Sequence, residues 1–339
     1  MLIPTQKLMA QLMDGQPLTR EQAKFLFGQV VNGQINEVEL ATVLTAMKVR
    51  GETIDEIAGA AEALRDAAKP YPRPEGELLD IVGTGGDGAN TFNISTTATF
   101  VAAAAGARVA KHGSRSVSSL SGASDLLTQF GINLTMTPGR SAECLAHLGV
   151  TFLFAPFYHA GMKHAAPVRA QLKTRTLFNL LGPLINPARP TQMLLGVYDA
   201  TLIRPIAEVI RSMGVKRALV VHGLGLDELA IHGESQVIEL KDGELIERQY
   251  SPQQLGVDQF ELSEIRGGEP DENKAISERI LSGEGTPAQR AAVAVNAGAG
   301  LYLAGVTDSI QAGTRLALET MDSGKALELI QSFAEASSQ

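Results

Sequence analysis

Cysteine is nearly absent from this chain: Cys144 is the only one in 339 residues. That excludes an internal disulfide framework and leaves no thiolate cluster for a structural zinc. The spacing of Cys144 with Leu145 and Leu148 reads as a buried helix face rather than the setting of a nucleophile. Tryptophan is missing altogether, whereas alanine and the 34 glycines are plentiful, a balance that favours close helix packing and many turns. No apolar run reaches the ~18 residues of a membrane span, and the first residues carry no basic segment or signal-peptide core. A cytoplasmic protein without membrane partners is the expectation. Basic charge is also short, with 29 Lys and Arg against 37 Asp and Glu. The resulting net charge of −8 argues against broad nucleic-acid binding, which needs a basic footprint. Anionic small molecules stay open as ligands, because single loops can be basic within an acidic protein.

What is present points first to two domains, which the length accommodates. Residues 1–70 read as a helical domain. Thr19 with Gln22, Asn36 with Glu39 and Thr53 with Glu56 have capping-box spacing. Leu40, Val43, Leu44 and Met47 form an amphipathic stripe, and Leu8, Met9, Leu12 and Met13 repeat the habit. The prolines at 70, 72 and 74 cannot continue a helix, so 69–74 reads as a linker. Beyond it, short apolar runs at 78–82, 108–110, 151–155, 193–197 and 218–221 alternate with helical stretches stopped by Gly106, Gly131, Gly149 and Gly214. Past residue 240 only helix-rich stretches such as 296–300 stand out. The expected fold class is α/β: a small N-terminal helical domain and a larger domain, 75–339, with a mostly parallel sheet flanked by helices. Ligands of such sheets bind at the carboxyl ends of the strands, where the chemically interesting motifs fall.

The first strand runs into Gly83-Thr84-Gly85-Gly86-Asp87-Gly88 and then Asn93, Ser95 and Thr96 ahead of an Ala-rich helix. Four glycines in six positions let the backbone approach a ligand and turn its N–H groups inward. Asn93, Ser95 and Thr96 are good N-cap residues, and a helix N-terminus favours an anion. A phosphate cradle is the reading, against a plain strand-to-helix turn. Gly83, Gly85 and Gly88 also fit G-x-G-x-x-G, but at least five residues separate them from Ser95. Lys111 stands where a dinucleotide fold wants an acid.

A second loop, 111–122, holds Lys111, Arg115, five serines and two glycines, the short donors and cations that a phosphorylated sugar requires. A third loop ends the 218–221 strand with His222-Gly223-Leu224-Gly225-Leu226-Asp227-Glu228. Adjacent carboxylates there suit magnesium shared with substrate phosphates. Arg169 is a candidate for bidentate carboxylate capture. His159 and His164, five apart, do not share a helix face and so disfavour a two-histidine metal site. His112 is weighed as a catalytic base against a satisfied structural histidine.

Taken in order, GTGGD with NIST, KHG-x-R-x-x-SSxSG, H-x(4)-H-x(4)-R leading into TRTLFNLLGPLINP, and HGxGLDE resemble the anthranilate phosphoribosyltransferase family. The resemblance implies a nucleoside-phosphorylase-like fold in which helices around 163–185 join the N-terminal domain, and a homodimer formed through that domain. It implies two Mg2+ ions as cofactors, with Ser95 and Glu228 on one and Asp227 with Glu228 on the other. Gly83, Gly86, Asp87, Thr91, Asn93, Ile94, Ser95, Thr96, Lys111, Ser119 and Ala123 would hold phosphoribosyl pyrophosphate. Gly83, Ser114, Arg169 and Gly182 would border anthranilate. Ser114 departs from the family, which usually has Asn there, and a shorter side chain with one donor implies weaker anthranilate binding or a water filling the gap. The rival readings are a pyrimidine nucleoside phosphorylase of related architecture, a dinucleotide-dependent oxidoreductase, and a non-catalytic relative that binds nucleic acid.

Overall fold

The computed structural model describes residues 5–115 and 120–339. Four helices come first: α1 Thr5–Met13, α2 Arg20–Val31, α3 Glu37–Arg50 and α4 Ile54–Asp66. Thr19, Asn36 and Thr53 all form capping boxes with Gln22, Glu39 and Glu56. Two orphan N–H groups are satisfied at each start, which fixes where these helices begin. Leu40, Val43, Leu44 and Met47 are buried as their spacing predicts. Met13 is not: α1 ends there, the chain turns through Gly15 at φ 74, and the side chain is 68% exposed.

The 69–74 stretch lies pinned against the larger domain, with the Lys69 N–H donating to the Tyr158 carbonyl at 2.8 Å and Arg73 Nε to the Ala188 carbonyl at 2.9 Å. Then come β1 Leu79–Gly83, α5 Ile94–Ala104, β2 Val109–Gly113, α6 Ala123–Gln129, α7 Pro138–Leu148 and β3 Val150–Phe154. Three short helices follow, α8 Ala155–Tyr158, α9 Ala166–Leu172 and α10 Phe178–Leu181. The chain continues through β4 Gln192–Gly196, α11 Ile203–Ser212, β5 Arg217–His222, β6 Ser235–Lys241 and β7 Glu244–Tyr250. It finishes in α12 Pro252–Leu255, α13 Pro270–Leu281, α14 Pro287–Leu303, α15 Ile310–Asp322 and α16 Lys325–Ser337.

Among the described residues one sheet carries all seven strands, in the order β3-β2-β1-β4-β5-β6-β7. The first five are parallel, while β6 and β7 add an antiparallel hairpin at one edge. That hairpin corrects the expectation of helices alone beyond residue 240. Its signal was the Asp242-Gly243 turn, whose φ values of 53 and 81 match the right-handed twist of a hairpin. A second correction concerns β2, expected to stop at 110. It runs to Gly113 because His112 and Gly113 pair with Leu153 and Phe154 of β3. Lys111 and His112 are therefore buried strand residues and not loop residues.

The strand order reverses between β1 and β4, which opens a crevice above their carboxyl ends. One face of the sheet packs on α5 and α14. The other face, through Val82, Met193, Leu195, Val197 and Val220, shares a single core with α11, the short 165–184 helices and the N-terminal helices. Phe178 of α10 meets Phe27 of α2 edge to face with centroids 5.9 Å apart, so the connection is packed and not merely tethered.

Candidate active site

At the crevice, β1 ends in Gly83 and the chain opens into a glycine loop. Gly85, Gly86 and Gly88 sit at φ +69, +79 and +77, a region that L side chains avoid. Gly83 is required for another reason: a Cβ on it would overlap the Asp227 carboxylate. The loop is tied down at its far end. The Phe92 N–H donates to the Ile265 carbonyl at 3.2 Å, and the Gly267 N–H donates to the Asn90 carbonyl at 2.9 Å. Thr91 bridges Arg266, and Asp87 Oδ1 accepts from the Ala89 N–H at 3.1 Å.

The capping expectation needs correcting. Helix α5 begins at Ile94, so Ser95 and Thr96 lie inside its first turn and Asn93 holds the cap position. No side chain caps the helix there. Asn93 turns instead to the second loop: Nδ2 donates to the Ser121 carbonyl at 3.0 Å, and Oδ1 accepts from Ser121 Oγ at 3.1 Å and Asn273 Nδ2 at 3.0 Å. The helix end is left to other partners, and Asn93 locks the two loops together. Asn273 was not singled out from the sequence.

The third loop arrives from β5. Gly223 and Leu226 exchange backbone hydrogen bonds of 2.9 and 3.2 Å, a tight turn that throws Asp227 and Glu228 back over β1 and β4. Asp227 Oδ2 accepts from the Gly85 N–H at 2.6 Å. Glu228 Oε1 accepts from the Ser95 hydroxyl at 2.7 Å and the Ser95 N–H at 3.2 Å. From behind, buried Asn296 of α14 clamps Leu229, accepting its N–H at 3.0 Å and donating to its carbonyl at 3.2 Å.

Burial, followed by the Asp87 charge, pushes Asp227 up to about 7. Burial, followed by the Asp227 charge, pushes Glu228 up to about 8. Among the described residues no three His, Cys, Asp or Glu side chains form a complete metal cage. The donor set fits magnesium all the same, which takes one or two carboxylates and completes its shell with water and substrate phosphates. Half-buried carboxyls that resist ionisation are the groups a hard cation would relieve.

The two carboxyls also give the fold a pH dependence. Both folded pKa values lie above the ordinary carboxylate range of ~4, so the native state binds more protons than the unfolded chain. The stability is present at low pH and is lost as pH rises through about 7 and about 8. Without metal, Tm is expected to fall between about pH 4 and about pH 8, with Asp227→Asn flattening the slope. Differential scanning fluorimetry checks this, and a Tm that rises across the same range contradicts it.

Beneath the acidic pair, Lys111 Nζ donates to the Ile81 carbonyl at 2.5 Å. Burial lowers its pKa against the opposing charges of Asp80, Glu228 and Asp227. Asp80 is buried in β1 and pushed up to about 6 by that burial. Its Oδ1 accepts from the His112 N–H at 3.4 Å and its Oδ2 from Asn186 Nδ2 at 2.8 Å. Asn186 also donates to the Ala110 carbonyl at 2.8 Å, joining β1 and β2 from below. The sequence signal for this network is an Asp inside an otherwise apolar strand.

The 163–185 segment closes the site from the side of the N-terminal helices. Arg169 on α9 is half-buried, with its guanidinium 5.5 Å from the Phe178 ring centre and its pKa lowered by burial. A desolvated fork of this kind suits a carboxylate. The Gly182 carbonyl lies 3.2 Å from His112 Nδ1, and open space surrounds its Cα. Burial, followed by the neighbouring His159, pushes His112 down to about 3, which leaves it neutral at pH 7 and favours the structural role. Arg175, to which the sequence reading gave no role, donates to the Gly86 carbonyl and stacks 3.8 Å from the Tyr198 ring centre. Ser114 is exposed just past β2, its carbonyl accepting from the Ser124 N–H at 3.3 Å. Ala123 opens α6 beside Gly113. Ser119 lies outside the described residues.

Three loops and one packed connection thus meet at the switch point of the sheet. Residues 75–327 match the glycosyl transferase family a/b domain, and residues 6–68 match the helical bundle domain of the same family. The chain is 60% identical over 341 residues to the anthranilate phosphoribosyltransferase of Shewanella baltica, covering 98% of this chain and 96% of that protein. Its structure is similar to that of the Thermus thermophilus anthranilate phosphoribosyltransferase, with a TM-score of 0.93, 42% identity, and 98% of this chain and 99% of that one covered. The Saccharomyces cerevisiae enzyme, solved in complex with PRPP and Mg, superposes with a TM-score of 0.90 at 28% identity, covering 98% of each chain. Matched over nearly its whole length, with the motif loops converging at one crevice, the chain belongs to the anthranilate phosphoribosyltransferase family.

Proposed function

We propose that this chain transfers the phosphoribosyl group of phosphoribosyl pyrophosphate to the amine of anthranilate. The products are N-(5-phosphoribosyl)anthranilate and pyrophosphate, a step of tryptophan biosynthesis. One observation carries the site assignment. The half-buried Asp227–Glu228 pair is hydrogen-bonded to Gly85 of the glycine loop and to Ser95 in the first turn of α5. Phosphate-seeking backbone and metal-seeking carboxylates therefore share one crevice. In this reading Gly83, Gly86, Asp87, Thr91, Asn93, Ile94, Thr96, Lys111 and Ala123 border phosphoribosyl pyrophosphate. Ser95, Asp227 and Glu228 would hold two magnesium ions. Magnesium supplies positive charge that offsets the charge growing on pyrophosphate as it departs.

The chain's own groups do the rest. Loop N–H groups and Lys111 receive phosphate oxygens, and Arg169 receives the carboxylate of anthranilate, so the amine is held toward the sugar. The N–C1 bond forms as the C1–O bond breaks, pyrophosphate leaves with the electron pair, and the amine proton passes to water. An aryl amine is neutral at pH 7, and so no strong base is required, in keeping with a neutral His112. Titration calorimetry tests the metal assignment: phosphoribosyl pyrophosphate is expected to bind at least tenfold more tightly with magnesium than with a chelator, and equal affinities would refute it.

Ser114 stands at the anthranilate side together with Gly83, Arg169 and Gly182. Ser114→Asn adds a longer donor and is expected to lower the KM for anthranilate by roughly three- to tenfold, about one hydrogen bond, with kcat unchanged. Steady-state kinetics decide, and an unchanged or higher KM removes position 114 from the site.

The homodimer reading rests on α1 and α3. Met13, Val38 and Val49 are 68%, 76% and 83% exposed around a groove that also takes in Ala41, Val168 and Leu172. Apolar surface of that kind marks an interface. Val38→Asp with Val49→Asp is expected to give a monomer in sedimentation, and a dimer that persists rules this face out. No helix of the described residues is long and apolar enough to cross a membrane, and we place the enzyme in the cytoplasm.

A further inference from the structure

A second cavity, of about 250 Å³, lies at the opposite end of the sheet from the crevice. It opens where the last turn of α4, the 183–193 connection, the start of β4 and the end of α11 come together. Met193, Ile210 and Met213 wall it with apolar surface, and Arg65 and Arg189 supply its charge.

Arg65 is the informative residue. Its Nε is buried without a hydrogen-bond partner, and no hydrogen bond or ion pair of its guanidinium forms among the described residues. Burial and the nearby Arg189 charge lower its pKa, so the fold holds this cation at a cost. The neighbouring acids are already engaged. Asp66 pairs with Lys24 at 2.7 Å and Arg189 at 3.3 Å, while Glu62 pairs with Arg20. A desolvated guanidinium fork beside an apolar wall lacks one complement, a carboxylate carrying an apolar body. Arg169 in the active site is likewise half-buried and desolvated.

From this cavity and its unpaired fork we propose a second ligand site, for a small apolar carboxylate held by Arg65 with Arg189. The site is wired to the catalytic end. Asn186 lines the cavity and bonds Asp80 Oδ2 and the Ala110 carbonyl, directly beneath Lys111. A ligand that shifts Asn186 would alter the support of β1 and β2 beneath the phosphate loops.

The test uses the full chain carrying Arg169→Ala, so that an aromatic acid does not report on the active site, with benzoate as the probe in titration calorimetry. Benzoate is expected to bind one site per chain, to weaken at least tenfold when Arg65→Met is added, and to weaken likewise with Met213→Trp, which fills the cavity and leaves Arg65 in place. Inorganic phosphate, the second probe, is expected to bind more weakly than benzoate; tighter phosphate binding overturns the assignment to an apolar carboxylate. Circular dichroism and Tm establish that each variant is folded. Absence of benzoate binding up to millimolar concentration, or equal binding in the Arg65→Met and Met213→Trp chains, overturns the proposal.

Discussion

Replacing Asp227 and Glu228 together by alanine is expected to lower kcat on the order of a thousandfold at saturating magnesium, without unfolding the protein. The two effects separate because the carboxyls are poorly placed for stability. Both are half-buried and both resist ionisation, each pushed up by desolvation and by acidic neighbours. Their loss leaves the Gly85 N–H and the Ser95 hydroxyl without an acceptor, in a loop region that water can reach. Removing a strained charge pair while deleting function is the usual trade between stability and activity at a site. The measurement is kcat over a magnesium titration, paired with Tm at about pH 8, above the point where the native pair begins to lose its protons. A kcat within tenfold of the parent would show that the pair does not hold the metal.

Gly196→Ala is expected to cost roughly a hundredfold in kcat, although Gly196 touches no substrate in this account. A Cβ on Gly196 would overlap the Asp227 carbonyl oxygen and come within 3.0 Å of the Asp227 Cα. Those are backbone atoms, and neither side yields easily. Gly196 is paired on both flanks, with Gly83 of β1 and Val221 of β5. The acidic loop is held by Asn296 at Leu229 and by Ser235, whose hydroxyl accepts the Ala230 N–H at 2.9 Å. Overpacking of this kind costs about 1–3 kcal/mol, and the Asp227–Glu228 turn is the part free to move toward solvent. A displacement near 1 Å at that turn is enough for the kinetic loss. Gly28→Ala is the control: Gly28 lies inside α2 with open space around it, and the substitution is expected to raise stability by up to about 1 kcal/mol with kcat unchanged. Equal kinetics for Gly196→Ala and the parent would mean that Asp227 does not need the position it holds here.

Local signals carried much of the architecture. Capping boxes at Thr19, Asn36 and Thr53 and the stripe from Leu40 to Met47 mark the helices because they depend only on neighbours three or four residues away. The parallel strands were legible as apolar runs since both faces are covered. The glycine loop was visible because three left-handed positions within four residues, 85, 86 and 88, favour glycine. What escaped depends on distant partners. Lys111 and His112 looked like loop residues until β3 paired with them, and Asn93 looked like a cap until Ser121 and Asn273 claimed it. Asn296, 67 residues beyond Leu229, and Gly196, under Asp227, owe their roles to contacts that no spacing in the chain records. Arg175 is of the same kind, since its partner carbonyl lies 89 residues earlier.

The assay to run is the loss of anthranilate fluorescence when the purified protein is mixed with phosphoribosyl pyrophosphate and magnesium. Fluorescence is expected to fall only when all three are present, and to persist when magnesium is chelated. Unchanged fluorescence with the complete mixture, together with release of free base from a pyrimidine nucleoside and phosphate, would contradict the account and make the chain a phosphorylase.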